Sequence, residues 1–144
     1  MNKISLSQPK IKELRSEYEK LMKELVEKNT NEQTDLLESF RDAASYDASV
    51  SLQQSRINML RKILDKAKIL PEFIKSEKIV LGSRFKARAA GNQIIHGRIV
   101  HPLEADPVKG LYSIESPYGM VLSGKRAGEW FKFNGVPFRI KVIY

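Results

Sequence analysis

The chain has 144 residues, 42% hydrophobic and 29% charged, which suits one ordinary domain or two small ones. It has no cysteine, which excludes a disulfide scaffold, thiolate chemistry and cysteine-ligated zinc. No run approaches the ~18 apolar residues that span a bilayer, and Met1–Ser5 lacks an apolar signal core. The expectation is a soluble cytoplasmic protein with no membrane partner. Its net charge of +8 first suggests nucleic acid.

That charge is divided unevenly. Up to Glu77, fourteen basic groups stand against thirteen acids; after it, eleven stand against four. Within the first part, residues 32–47 hold five acids and one base, Arg41.

Glycine is absent from residues 1–77, and proline occurs there only at Pro9 and Pro71. Ser7 can cap a helix that has Pro9 in its first turn. Ile11, Leu14, Tyr18, Leu21 and Leu25 then follow a 3-4-3-4 spacing, a heptad seam. A second seam runs through Val50, Gln53, Ile57, Leu60, Leu64 and Ala67 and closes before Pro71. Two such seams in sequence predict an antiparallel helical hairpin. Between them Asn29, Thr30 and Asn31 interrupt the apolar positions, and the small, polar residues 39–49 are the expected turn-around. A helix of ~30 residues is ~45 Å long, so the hairpin is expected to project, ending in an acidic tip near residues 35–47.

After Glu77 the period changes. Ile79–Leu81, Arg84–Arg88, Ile94–Val100, Leu111–Ile114, Trp130–Phe133 and Phe138–Ile143 read as strands, rich in β-branched and aromatic residues. Asn134-Gly135 is a tight-hairpin signal, and Pro117–Leu122 reads as a short helix. The fold class expected is α+β: a helical hairpin over residues 1–77, then a small β-rich domain over 78–144.

Familiar catalytic patterns are missing: no phosphate-binding glycine loop, no His-Glu-x-x-His, no Gly-x-Ser-x-Gly. His96 and His101 read as ordinary surface or half-buried histidines. Trp130, beside Phe131 and Phe133, is expected in the core, with stacking on a base as the other reading. Lys125 and Arg126, and Lys86 with Arg88, could meet phosphates or simply face solvent. The acidic tip is more specific. Glu38 and Asp42 are four apart and share a face if helical. Clustered carboxylates suit lending hard oxygen ligands to a Mg²⁺ held mainly by another molecule. A second such ion can generate hydroxide and stabilise a leaving group in phosphodiester cleavage.

Three motifs bear a resemblance. The chain contains Arg98-Ile99-Val100 with Glu104-Ala105-Asp106, then Tyr112 to Gly119 as Tyr-Ser-Ile-Glu-Ser-Pro-Tyr-Gly, then Leu122 to Glu129 as Leu-Ser-Gly-Lys-Arg-Ala-Gly-Glu. In that order they resemble the C-terminal domain of the bacterial Gre factors, GreA and GreB. His101 replaces the family's usual Gly and Glu129 its usual Asp. The resemblance implies an N-terminal hairpin and an FKBP-like C-terminal domain, with bacterial RNA polymerase as partner. By this resemblance the hairpin enters the polymerase secondary channel and its tip acids help hold the active-site Mg²⁺. Backtracked nascent RNA is then cut by the polymerase, the factor having no cofactor of its own and not being itself an enzyme. The Ser-Pro-x-Gly run, here Ser116, Pro117 and Gly119, is then the docking element. At the tip, Ala44, Tyr46 and Ala48 match the family, with Phe40 and Tyr46 as packing residues. Ser39 stands where the family has its first catalytic Asp, and Asp42 stands where it has Glu.

Asp42 and Glu38 are therefore the candidate residues for assisting the polymerase's metal. A channel binder that does not cut is the alternative, motivated by Ser39. A coiled-coil module using its basic domain on RNA or DNA is the third reading. A monomer is the simplest assembly, since the hairpin satisfies its own seam.

Overall fold

A computed structural model describes the backbone over residues 3–31 and 39–144 and the side chains over 3–28 and 48–144. It divides into two units, one of Met1–Ile4 and Gln8–Lys68, the other of Ser5–Ser7 and Ile69–Tyr144.

In the first unit, α1 (Gln8–Asn31) and α2 (Ser39–Lys66) pack side by side. Ile11, Leu14, Ile57 and Leu60 are buried, the inner turns of the two expected seams. Polar cross-links fix the antiparallel sense, since partners late in α2 lie early in α1. Gln53 donates to the Leu21 carbonyl at 3.2 Å and accepts from Lys28 Nζ at 3.1 Å. Arg56 donates from Nε and Nη2 to the two carboxylate oxygens of Glu17 at 2.6 and 2.9 Å, a bidentate pair. Arg61 donates to the Tyr18 hydroxyl at 3.3 Å. The hydrogen bond from Arg56 holds the Glu17 carboxyl below its ordinary range, against a smaller opposing effect of burial.

Residues 39–49, expected as the turn-around, are instead the opening turns of α2. Three alanines there carry high intrinsic helix propensity, and no Gly or Pro interrupts them. The described helices end at Asn31 and resume at Ser39.

The boundary also differs from the expected 77/78: residues 69–77 join the second unit. Leu70 is buried. It and Ile74 press so closely on Gly82 that a Cβ there would lie 3.2 and 2.4 Å from their methyl carbons. Arg98 holds the same segment by donating to the Gly82 carbonyl at 3.2 Å and the Pro71 carbonyl at 3.0 Å. Burial lowers the guanidinium pKa of Arg98, and neighbouring Arg84 adds to the effect.

Short strands β1 (Ile4–Leu6) and β2 (Ala67–Ile69) pair with each other. The main sheet has five strands in the order β5-β4-β3-β7-β6, where β3 is Arg84–Ala89, β4 Ile94–Val100, β5 Leu111–Ser113, β6 Trp130–Phe133 and β7 Val136–Ile143. All neighbours are antiparallel except β4 and β5. Asn134 and Gly135 both have positive φ, 49° and 77°, the backbone that a two-residue turn between twisted strands requires. Ile79–Leu81 is no strand. Ile79 is buried, but the pairing there is an isolated bridge from the preceding residue, Lys78, to Arg126.

Period-two alternation puts Phe85, Ala87, Ala89, Ile99, Phe131, Phe138 and Ile140 on one face, packed with Tyr118 and Leu122 of α3 (Pro117–Leu122). On the opposite face Arg88, Arg139 and Lys141 are exposed, while Arg84 and Arg98 are partly covered by Glu72, Phe73 and the Pro71 and Gly82 carbonyls. Among the described residues no helix is long and apolar enough to cross a membrane.

Candidate functional site

The Ser116, Pro117 and Gly119 motif builds the corner where β5 turns into α3. Ser116 caps the helix, accepting from Gly119 N–H at 3.0 Å, while its hydroxyl donates to the Ser113 carbonyl at 2.7 Å. Pro117 occupies the first turn, where its missing N–H costs nothing. Gly119 is buried, and a Cβ on it would lie 1.9 Å from the Ser113 oxygen. Ser116 and Gly119 therefore set the corner's shape. What the corner offers a partner is Pro117, Met120 and Val121, all exposed.

Beneath the corner, Tyr118 sits in a ring cluster. Its centroid is 4.4 Å from those of Tyr112 and Phe133, 5.9 Å from Phe131 and 6.4 Å from Phe85. Its hydroxyl is buried and has no hydrogen-bond partner among the described residues. Burial first, and the neighbouring Tyr112 second, push this phenol well above its ordinary pKa. Leaving a polar group unsatisfied is costly, so Tyr118→Phe is expected to stabilise the fold by about 1 kcal/mol in urea unfolding at neutral pH. Because the folded-state pKa is raised, the wild type should lose stability as the pH rises past about 10, where the unfolded phenol ionises. Tyr118→Phe should lack that part of the alkaline loss. Identical alkaline profiles would contradict the assignment.

Other motif residues also have structural tasks. Glu104 accepts the Ser7 N–H at 2.9 Å on one carboxylate oxygen and the Ser7 hydroxyl on the other. The Ser7 N–H and hydroxyl thus both donate to Glu104, a link across 97 positions of the chain. His101 Nδ1 accepts from Leu103 N–H at 3.2 Å, closing a single 3₁₀ turn. His96 is exposed on β4. Among the described residues no cluster of His, Asp or Glu could hold a metal ion.

Of the basic pair, Lys125 is half-buried and Arg126 exposed. The Arg126 N–H donates to Glu129 at 2.7 Å, and its guanidinium approaches Glu77 at 3.9 Å. The chain around them reaches back to Ile79 through Ile79 N–H to Lys125 O and Gly124 N–H to Ile79 O, both 2.8 Å.

At the tip, Phe40, Asp42 and Tyr46 lie in α2, but their side chains are outside the described residues, as is the whole of Glu38. The backbone places Ser39 at the first position of α2 and Asp42 one turn on.

Trp130 departs from expectation. It is 55% exposed, while its neighbours Phe131 and Phe133 turn inward. Strict alternation along β6 would have told them apart: if 131 and 133 enter the core, 130 and 132 leave it.

Residues 75–143 match the family model described as transcription elongation factor, GreA/GreB, C-term. Along most of its length the chain is 33% identical to transcription elongation factor GreA of Mesoplasma florum, covering 96% of this chain and 95% of that one. Transcription elongation factor GreA of Mesomycoplasma hyopneumoniae (strain 7448) is also 33% identical, over 89% of this chain and 84% of that one. Among solved structures, the GreA factor homolog 1 (Gfh1) protein of Thermus thermophilus aligns over 99% of both chains at 24% identity, with a TM-score of 0.45. On the strength of the curated relatives, the chain belongs to the GreA/GreB family of transcription elongation factors.

Proposed function

We propose that the protein binds bacterial RNA polymerase through its secondary channel and stimulates cleavage of backtracked RNA. The observation that carries this reading is the likeness to GreA factors across 96% of the chain, hairpin included. The phosphodiester chemistry belongs to the polymerase, and this chain contributes position and charge. Asp42 and Glu38 are hard oxygen donors of the kind Mg²⁺ takes alongside phosphates and water. The ion would supply an activated water and a stabilised leaving group. Ser116 and Gly119 shape the α3 corner, and Pro117 presents it to the polymerase.

A second reading rests on Ser39, which opens α2 where the family pattern has an Asp. With one fewer carboxylate, the same docking yields a factor that occupies the channel and slows nucleotide addition without cutting.

The test is a stalled, backtracked elongation complex supplied with Mg²⁺. Wild-type protein is expected to shorten the RNA from its 3′ end, and Asp42→Ala to slow that shortening roughly ten- to hundredfold. Glu38→Ala should slow it as well. Slower nucleotide addition with no shortened RNA favours the second reading. A protein that neither shortens RNA, nor slows addition, nor co-migrates with polymerase defeats both.

A further inference from the structure

Apart from the end where Glu72 pairs with Arg84 and Arg98 bonds the Pro71 and Gly82 carbonyls, the outer face of the five-stranded sheet is exposed and carries charge of one sign. Its strands contain seven Lys and Arg residues and no Asp or Glu. All four acids that follow Glu77 lie outside those strands. A solvent-facing sheet surface normally mixes signs, because like charges directly across a strand pair are destabilising. Here Arg88 pairs in register with Arg139, and Arg139 with Trp130, so two guanidinium groups and an indole form one row across β3, β7 and β6. Neighbouring strands are ~4.8 Å apart, so the row is continuous at the scale of a nucleotide.

Lys141 borders the same depression, of about 230 Å³, lined also by Arg88, Trp130 and Arg139. A second depression, of about 440 Å³, lies on the other flank of Trp130 and is edged by Lys125 and Lys132. Among the described residues none of Arg88, Arg139, Lys141, Lys125 and Lys132 has a carboxylate ion-pair partner. The nearest acid in sequence, Glu129, is turned away onto the Arg126 N–H. Arg139 donates to the Gly128 carbonyl at 3.1 Å and Arg88 to the Asn92 side chain, which holds both heads in place without neutralising them.

Unpaired cations along a backbone-length row, interleaved with an exposed aromatic ring, are the combination that single-stranded nucleic acid requires. The cations meet phosphates, and the ring stacks on an unstacked base. An acidic protein surface would use the cations but give no reason to expose the indole. A duplex offers no free base face to it.

We propose that this outer sheet face is a binding surface for single-stranded RNA, with Trp130 as the stacking platform and Arg88, Arg139 and Lys141 as phosphate contacts. RNA is the strand chosen because a transcription complex extrudes it unpaired. The surface is independent of the tip chemistry and would exist whether or not the protein stimulates cleavage.

Trp130 is the only tryptophan, so its emission reports on the site directly. The full chain, without polymerase, is titrated with a labelled uridine-rich RNA, and indole emission and anisotropy are followed between about 50 and 200 mM salt. RNA is expected to quench Trp130 and to bind more weakly as salt rises. Trp130→Ala should weaken binding about tenfold. Arg88→Gln with Arg139→Gln should reduce the salt slope by about 2. All these changes are at exposed positions, and a matching urea midpoint confirms that the variants fold. Absence of binding, unchanged affinity in Trp130→Ala, or tighter binding to the same sequence as DNA overturns the assignment to RNA. Equal binding of polyglutamate, or preference for a duplex, overturns the stacking role.

Discussion

Gly119→Ala is expected to destabilise the C-terminal unit by about 3 kcal/mol or more, although alanine is the better helix former. In a solvent-exposed helix interior the exchange would stabilise by about 1 kcal/mol. Gly119 lies inside α3 and has no positive φ, so backbone conformation gives glycine no advantage there. The sign reverses because the new Cβ would sit 1.9 Å from the Ser113 oxygen and 2.9 Å from the Ile114 Cα, both backbone atoms. The carbonyl cannot swing aside cheaply. It accepts the Ser116 N–H at 3.1 Å and the Ser116 hydroxyl at 2.7 Å, and the same hydroxyl caps α3. Relieving the clash means losing a cap worth about 1 kcal/mol and shifting Tyr118 out of its ring cluster, on top of ordinary overpacking costs of about 1–3 kcal/mol. Urea unfolding followed by circular dichroism would measure it. A midpoint at or above the wild type would show that the β5–α3 corner opens freely. Pro117→Ala, on the exposed surface of the same corner, should leave the midpoint nearly unchanged, which separates a folding role from a docking one.

Phe85→Ala should cost about 3–5 kcal/mol. Phe85 is fully buried on β3, the central strand of the sheet. Its ring faces Tyr112 and Tyr118 at 6.3 and 6.4 Å. Its outer carbon lies 2.7 Å from where a Cβ on Gly97 would stand, so the ring occupies the space over that glycine. Truncation leaves a cavity among the side chains of the core cluster, Tyr112 and Tyr118 included. Small domains are stable by only about 5–15 kcal/mol in total, so the variant should be close to its unfolding midpoint at 37 °C. Phe85→Leu keeps most of the volume and should cost less than about 2 kcal/mol. Near-equal midpoints for the two variants would mean that the site collapses around the smaller side chain.

Features that one segment dictates by itself were legible before the structure. The two heptad seams predicted the buried faces of α1 and α2. The Asn-Gly pair predicted the turn between β6 and β7. Errors came where two segments must meet. Ile79 is apolar because it packs under the Lys125 segment, and in one dimension that is indistinguishable from a strand. The small size of residues 39–49 points to a turn, yet alanines favour helix when nothing breaks it. Strands of three residues, such as β1 and β2, have no period to detect. The link from Ser7 to Glu104 spans 97 positions and leaves no local mark.

At the candidate site the motif residues were found but their tasks were not. Ser116, Gly119 and Glu104 carry the family's pattern because they hold backbone together, and only Pro117 of the expected docking residues is exposed. The aromatic neighbours of Trp130 point it to the core, whereas strand parity places it outside.

The pairing of Ser5–Ser7 with the C-terminal unit makes the helical pair an insertion. The chain enters that unit at Ser5, leaves it at Gln8 and returns at Ile69. Leu6 is completely buried, and its carbonyl accepts the Leu70 N–H at 2.7 Å, so departing and returning chain are fastened to each other. No single cut can therefore free the C-terminal unit whole. A fragment beginning at Ile69 would lack its own first strand, and a nascent chain must keep residues 5–7 waiting until Glu104 has been synthesised. The ribosome, in effect, delivers the first piece of this unit nearly a hundred residues before its partner.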